Sequence, residues 1–247
     1  MHIALLDTNT DDSAFGRSHP DEAQKFRVLM APVAPDWAID GFKVSAGEFP
    51  QALSDFDGIM ISGSVASVND PTPWIARLKD LIREAHATGI PVFGACFGHQ
   101  AIAAALGGTV GPNPQGWVLG RYETSNHCPA PWMHDAGPTM TLHAAHKEQV
   151  LTLPPGATIH AGTPDVPHGL MSVGARVFST QYHPELDTDF MHGLLDHMQG
   201  EVAPELLDSA RSSLDGPVHD ALMAEWIKAF FDQARTSADS LPPSVAD

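Results

Sequence analysis

The stretch Ile90-Pro91-Val92-Phe93-Gly94-Ala95-Cys96-Phe97-Gly98-His99-Gln100 decides how the rest of the chain is read. Residues 90–95 form a short apolar run that suits a buried strand, and a helix of small residues is expected over 98–106. Between them, Gly94 and Gly98 flank Cys96 in the pattern Gly-x-nucleophile-x-Gly, with cysteine in place of serine. The pattern has a physical reason. A nucleophile presented on a sharp strand-to-helix turn needs glycines beside it so that strand and helix can approach closely. A thiol placed there sits at a helix N-terminus, where the macrodipole favours thiolate. The N–H of Phe97 would point where an oxyanion forms.

Working outward, residues 3–6 and 56–62 are further apolar runs that end in turn residues, Asp-Thr-Asn-Thr and Gly63-Ser64. Thr72-Pro73-Trp74 opens a helix with a capping threonine and proline at its first position. Trp74, Ile75, Leu78, Leu81, Ile82 and Ala85 recur at helical spacing until Gly89 closes it. Strand, helix, strand, helix predicts an α/β fold: a doubly wound, mostly parallel sheet with helices on both faces. From 107 to 176, Gly and Pro interrupt short segments, which predicts antiparallel additions to that core; residues 166–182 read as a hairpin around Gly174-Ala175. Leu222, Met223, Trp226, Ile227, Phe230 and Phe231 form a helical packing stripe, with Asp220, Glu225, Lys228 and Asp232 pointing away. The expected organisation is a main domain over 1–195, a helical extension packed on it over 196–235, and a disordered tail over 236–247.

Composition narrows the partners. The 247 residues carry 30 acidic against 13 basic side chains, a net charge of −17, with no Lys/Arg run. Such a surface repels phosphate backbones, so no nucleic acid is expected as a partner. No apolar stretch approaches the ~20 residues of a membrane span, and the first residues lack a basic leader, so a soluble, cytoplasmic protein without a membrane partner is expected. The two cysteines do not make a disulfide framework; Cys128, in a polar, proline-rich loop, reads as an ordinary thiol.

A thiolate nucleophile needs a base, and the base an orienting group. Gln181-Tyr182-His183-Pro184-Glu185 offers both directly after the apolar run at Val177-Phe178. Pro184 restricts His183 to extended geometry. Metal sets drawn from His143 and His146, or from His183 and Glu185, lack tight ligand spacing, so no metal is expected. Ser62-Gly63-Ser64-Val65-Ala66-Ser67 resembles a pyrophosphatase loop but has Ala66 where that loop carries aspartate. In an α/β-hydrolase the acid precedes the histidine, whereas Glu185 follows His183.

Cys96-Phe97-Gly98-His99-Gln100 after an apolar strand, with Tyr182-His183-Pro184-Glu185 downstream, resembles the class I glutamine amidotransferases of the GMP-synthase type. The similarity spans about residues 1–195 and includes Ser62-Gly63-Ser64-Val65 and Ala145-His146-Lys147-Glu148-Gln149-Val150. It implies a flavodoxin-like sheet and a triad of Cys96, His183 and Glu185. The implied oxyanion donors are the N–H groups of Phe97 and Ser64. Gln100 and the segment at Ala145 and His146 are implied to contact the substrate, and no cofactor is implied. The second oxyanion turn departs from the family's Gly-Gly-Pro: serine and valine follow Gly63, and Val65 makes the turn less rigid. The implied chemistry releases ammonia from glutamine or another γ-glutamyl amide through a γ-glutamyl thioester. Three settings stay open: a subunit serving an ammonia-accepting synthetase, a self-sufficient γ-glutamyl peptide hydrolase, or a catalytically silent binding module.

Overall fold

The computed structural model describes residues 1–239. In chain order the helices are α1 (Ala14–Arg17), α2 (Glu22–Met30), α3 (Pro73–Thr88), α4 (Phe97–Ala105), α5 (Thr188–His197), α6 (Pro204–Ser213) and α7 (Asp220–Asp239). The strands are β1 (His2–Asp7), β2 (Ala38–Lys43), β3 (Gly58–Ile61), β4 (Val92–Ala95), β5 (Thr109–Pro112), β6 (Val118–Asn126), β7 (Thr139–His146), β8 (Glu148–Thr152), β9 (Ala157–Gly162), β10 (Leu170–Val173) and β11 (Val177–Thr180). Nine strands make one sheet in the order β2-β1-β3-β4-β11-β10-β9-β6-β7; β5 and β8 pair separately.

Strands β2, β1, β3, β4 and β11 run parallel, and their side chains sort by alternation onto two cores. Ile3, Leu5, Met60, Phe93 and Phe178 point to one face, under Phe26 of α2 and the Trp226, Ile227, Phe230 and Phe231 stripe of α7. Leu6, Ile59, Ile61, Val92 and Val177 point to the other, under α3 and α4. Both faces of β1, β3 and β4 are covered, which is why these three read as apolar runs. The fold is therefore the expected doubly wound α/β sheet. Its antiparallel strands β10, β9, β6 and β7 continue the same sheet from the β11 edge, and the hairpin expected at Gly174 is the β10–β11 pair.

Details differ from the sequence reading. Thr72 holds the N-cap position of α3, but its side chain makes no capping bond; Pro73 and the left-handed Gly89 (φ 76°) delimit the helix instead. Helix α2 and edge strand β2, between β1 and β3, were not foreseen. Helix α7 runs through Asp239, into the stretch expected as a tail, and the rest of that tail lies outside the described residues. Among the described residues, no helix is long and apolar enough to cross a membrane.

Candidate active site

Four adjacent parallel strands, β1, β3, β4 and β11, end at the same edge of the sheet. The segments leaving them are Thr8-Asn9, Ser62-Gly63-Ser64, Cys96 and Gln181 to Glu185. Open α/β sheets place ligands in the crevice outside these carboxyl ends, and here a cavity of about 590 Å³ opens there.

Cys96 is the hinge between β4 and α4. Its backbone has φ 48° and ψ −102°, a left-handed conformation for a residue with a side chain. Such geometry costs on the order of 1–3 kcal/mol and persists only where neighbours over-determine it. They do: Cys96 N–H donates to Thr180 O (2.8 Å), Gly98 N–H to Ser62 O (3.1 Å) and Gln100 N–H to Cys96 O (3.1 Å). The close approach also explains the elbow glycines. A Cβ on Gly94 would stand 2.7 Å from the backbone of Gly98, and one on Gly98 would strike Ile61. Phe97 turns its side chain into the α3–α4 core, 5.6 Å from the Trp74 ring, and is not among the residues that line the cavity. As the first residue of α4, its N–H has no intrahelical acceptor.

His183 leaves the end of β11 in extended geometry. Its N–H donates to His143 O (2.8 Å) in a bridge that joins it to β7. Its Nδ1 lies 2.7 Å from Glu185 Oε1, with both side chains buried. Burial disfavours a charge on this ring, but the Cys96 sulfur and the Glu185 carboxylate outweigh it and hold the pKa well above its ordinary value. Nε2 has no hydrogen-bond partner among the described residues, nor does Glu185 Oε2. Across the turn, Gly63 fits against the ring: an added Cβ would lie 2.8 Å from His183 Cε1 and 3.8 Å from Cys96 Cβ. Thr8 pins this turn by donating to Ser62 O and Gly63 O, each at 3.0 Å.

Cys96, His183, Glu185, Ser64, Gln100, Ala145 and His146 all line the one cavity, so residues spread over more than a hundred positions converge. Gln100 Nε2 donates to Glu148 O (2.7 Å) and Gln181 Oε1 (3.3 Å). His146 is buried, neither ring nitrogen has a partner among the described residues, and burial followed by the His183 charge pushes its pKa down to about 3. It is therefore neutral at physiological pH. Buried polar atoms without a partner call for an explanation, and here they belong to residues that line one cavity.

Two features escaped the sequence reading. Gln181 is fully buried, and its Nε2 lies 3.7 Å from Cys96 Sγ as a donor. Its signal was present: it precedes His183 by two, the spacing that puts side chains on one side of an extended segment. The other feature is a wall contributed by α1, α2 and α5. Lys25 of α2 pairs with Glu22 (2.7 Å) and lies 4.4 Å over the Phe190 ring. Burial, only partly offset by Lys25, raises the Glu22 pKa, and the Glu185 charge adds to the rise. No local motif marked these residues.

The chain is similar to known proteins over most of its length. A glutamine amidotransferase from Thermotoga maritima superposes with a TM-score of 0.75 over 94% of this chain and 98% of its own, at 17% identity, which shows a shared fold. Gamma-glutamyl peptidase 4 of Arabidopsis thaliana is 27% identical over 85% of this chain and 87% of its own length. A gamma-glutamyl-L-1-hydroxyisopropylamide hydrolase of a Pseudomonas species is 29% identical over 76% of this chain and 65% of its own. The family model for glutamine amidotransferase class-I matches residues 37–192. This chain belongs to the class I glutamine amidotransferase family.

Proposed function

We propose that the protein hydrolyses the side-chain amide of a γ-glutamyl compound, with Cys96 as nucleophile, His183 as acid and base, and Glu185 as the group that orients and charges His183. The observation that carries this reading is the Cys96 elbow facing a His183 ring whose Nδ1 is fixed by Glu185 and whose Nε2 is left free. The Cys96 thiolate attacks the amide carbon, forming an S–C bond. The resulting oxyanion is held by the N–H groups of Phe97 and Ser64; removal of one such donor costs ~10²–10³ in kcat. As the C–N bond breaks, His183 Nε2 gives its proton to the departing nitrogen. Water then attacks the thioester, surrenders a proton to His183 and releases glutamate, restoring the thiolate and the imidazolium. Gln100 Oε1 and neutral His146 supply hydrogen bonds to the glutamyl part, beside the Ala145 backbone. The names of the two relatives, a peptidase and an amide hydrolase, support turnover without an ammonia-accepting synthetase.

The test is glutamate release from glutamine and from γ-glutamyl p-nitroanilide by the purified protein alone, with mass spectrometry of the quenched Cys96 peptide. Glutamate production, a glutamyl adduct on Cys96 and loss of both in Cys96→Ala are expected. Undiminished turnover in Cys96→Ala refutes the proposal.

A further inference from the structure

The cavity is larger than glutamine hydrolysis requires. The leaving ammonia occupies the ~30 Å³ of a water molecule, whereas the whole cavity, glutamyl part included, is about 590 Å³, within the ~300–1,000 Å³ typical of sites for drug-sized ligands. The excess has a defined wall. Directly after the triad the chain contributes Leu186, and α5 adds Phe190 and Leu194; Phe15 of α1 stands opposite. The Phe15 ring is fixed between Phe190 (centroids 5.2 Å) and His197 (5.2 Å, stacked), so it is a built surface. Phe15, Phe190 and Leu194 are each half-buried, packed behind and open in front.

The charges around this wall argue against an anionic ligand. Asp11, Glu22 and Glu201 line the same side of the cavity. Lys25 is already bound to Glu22 and lies over Phe190, and the cavity's other lysine, Lys147, lies over Trp117 at 5.5 Å. A leaving group bearing a carboxylate, as in a γ-glutamyl dipeptide, would meet Asp11 and Glu201, which no lysine neutralises, while the charge of Lys25 is already balanced by Glu22.

We propose that Phe15, Phe190 and Leu194 form the subsite for the leaving amine, and that it selects γ-glutamyl amides of apolar amines without a carboxylate over glutamine and over γ-glutamyl dipeptides. The inference rests on the hydrolase reading above and adds the identity of the amine. Each methylene of the amine that enters the subsite is worth about four-fold in kcat/KM.

A matched pair of substrates tests it: γ-glutamyl isopentylamide and γ-glutamyl-leucine, whose amines differ only by a carboxylate, compared with glutamine by coupled glutamate detection. The isopentylamide is expected to exceed both in kcat/KM, glutamine by at least ~10²-fold. Phe190→Leu should lower the isopentylamide-to-glutamine ratio, and Glu201→Lys should raise the relative rate on γ-glutamyl-leucine; thermal melts confirm that each variant is folded. Equal or better turnover of glutamine or γ-glutamyl-leucine by the wild type overturns the subsite while leaving the hydrolase reading intact. So does an unchanged ratio in folded Phe190→Leu. No glutamate from any of the three substrates overturns both.

Discussion

Replacing Gly63 with alanine probes the site through one methyl group that touches no substrate-binding side chain. The new Cβ would lie 2.8 Å from His183 Cε1, where carbon atoms normally rest ~3.5–4.0 Å apart. The ring or the turn must therefore yield by roughly 0.7–1.2 Å. Neither has slack. The ring is held by Glu185 through Nδ1 (2.7 Å) and by its own N–H on His143 O (2.8 Å). The turn is held by Thr8, which donates to Gly63 O (3.0 Å). A displacement near 1 Å costs on the order of 10² in rate when reacting groups must meet in a fixed orientation. The overpacking itself costs about 1–3 kcal/mol of stability, which leaves a domain of this size folded. Steady-state kinetics on γ-glutamyl p-nitroanilide should show kcat reduced about 10²-fold with KM little changed, and urea unfolding should show the modest loss. A folded Gly63→Ala protein with kcat within about three-fold of wild type, well inside the loss expected for such a displacement, would refute the placement of His183 as the acting base.

Three further outcomes follow from the same geometry. Gln181→Leu keeps the volume but removes the donor 3.7 Å from Cys96 Sγ and the acceptor for Gln100. A hydrogen bond to a charged group is worth about 1.5–3 kcal/mol, so kcat should fall by roughly ten-fold or more; no change would mean the amide is only packing. His99 is fully buried, and burial, with the His168 and His146 charges adding, lowers its pKa to about 3. The unfolded chain therefore binds a proton between about pH 3 and 6.5 that the folded protein does not, and stability falls as pH drops through that window. His99→Gln, able to keep a bond to Ser179 Oγ, should reduce that slope by up to about 1.4 kcal/mol per pH unit in urea titrations at stepped pH; an undiminished slope would contradict the assignment. Trp226 is fully buried and donates from Nε1 to His134 O (2.8 Å). Trp226→Ala should cost about 3–5 kcal/mol, and a loss below about 1 kcal/mol by urea unfolding would show that α7 is not integral to the fold.

How far the sequence could be read depended on how local each signal was. Strands β1, β3 and β4 are buried on both faces, so each appears as an apolar run. Helix α3 declares itself through Pro73, Gly89 and a regular stripe. Strand β2 does not, because it is an edge strand with one neighbour; Ile39 is its one buried residue, and Asp40 and Gly41 interrupt it. Helix α2 shows only Ala23, Phe26 and Met30 as its apolar buried face, in nine residues with three charged side chains. The elbow around Cys96 was legible because the strain of its turn forces Gly94 and Gly98 into fixed positions. The pairing of His183 with Glu185 was legible because they are two residues apart.

The sequence by itself determined the doubly wound sheet, the tight turn at Cys96 and the adjacency of His183 and Glu185, since each is written in contiguous residues whose spacing obeys strand, turn or helix geometry. Tertiary structure alone decided what surrounds them. The donor from Gln181 to the sulfur, the fit of Gly63 under the imidazole and the aromatic wall of Phe15 and Phe190 all depend on distances between segments that no sequence spacing encodes. Packing the two helical layers on the sheet brings those segments together, and that packing sets the size and charge of the space in which a substrate would be held.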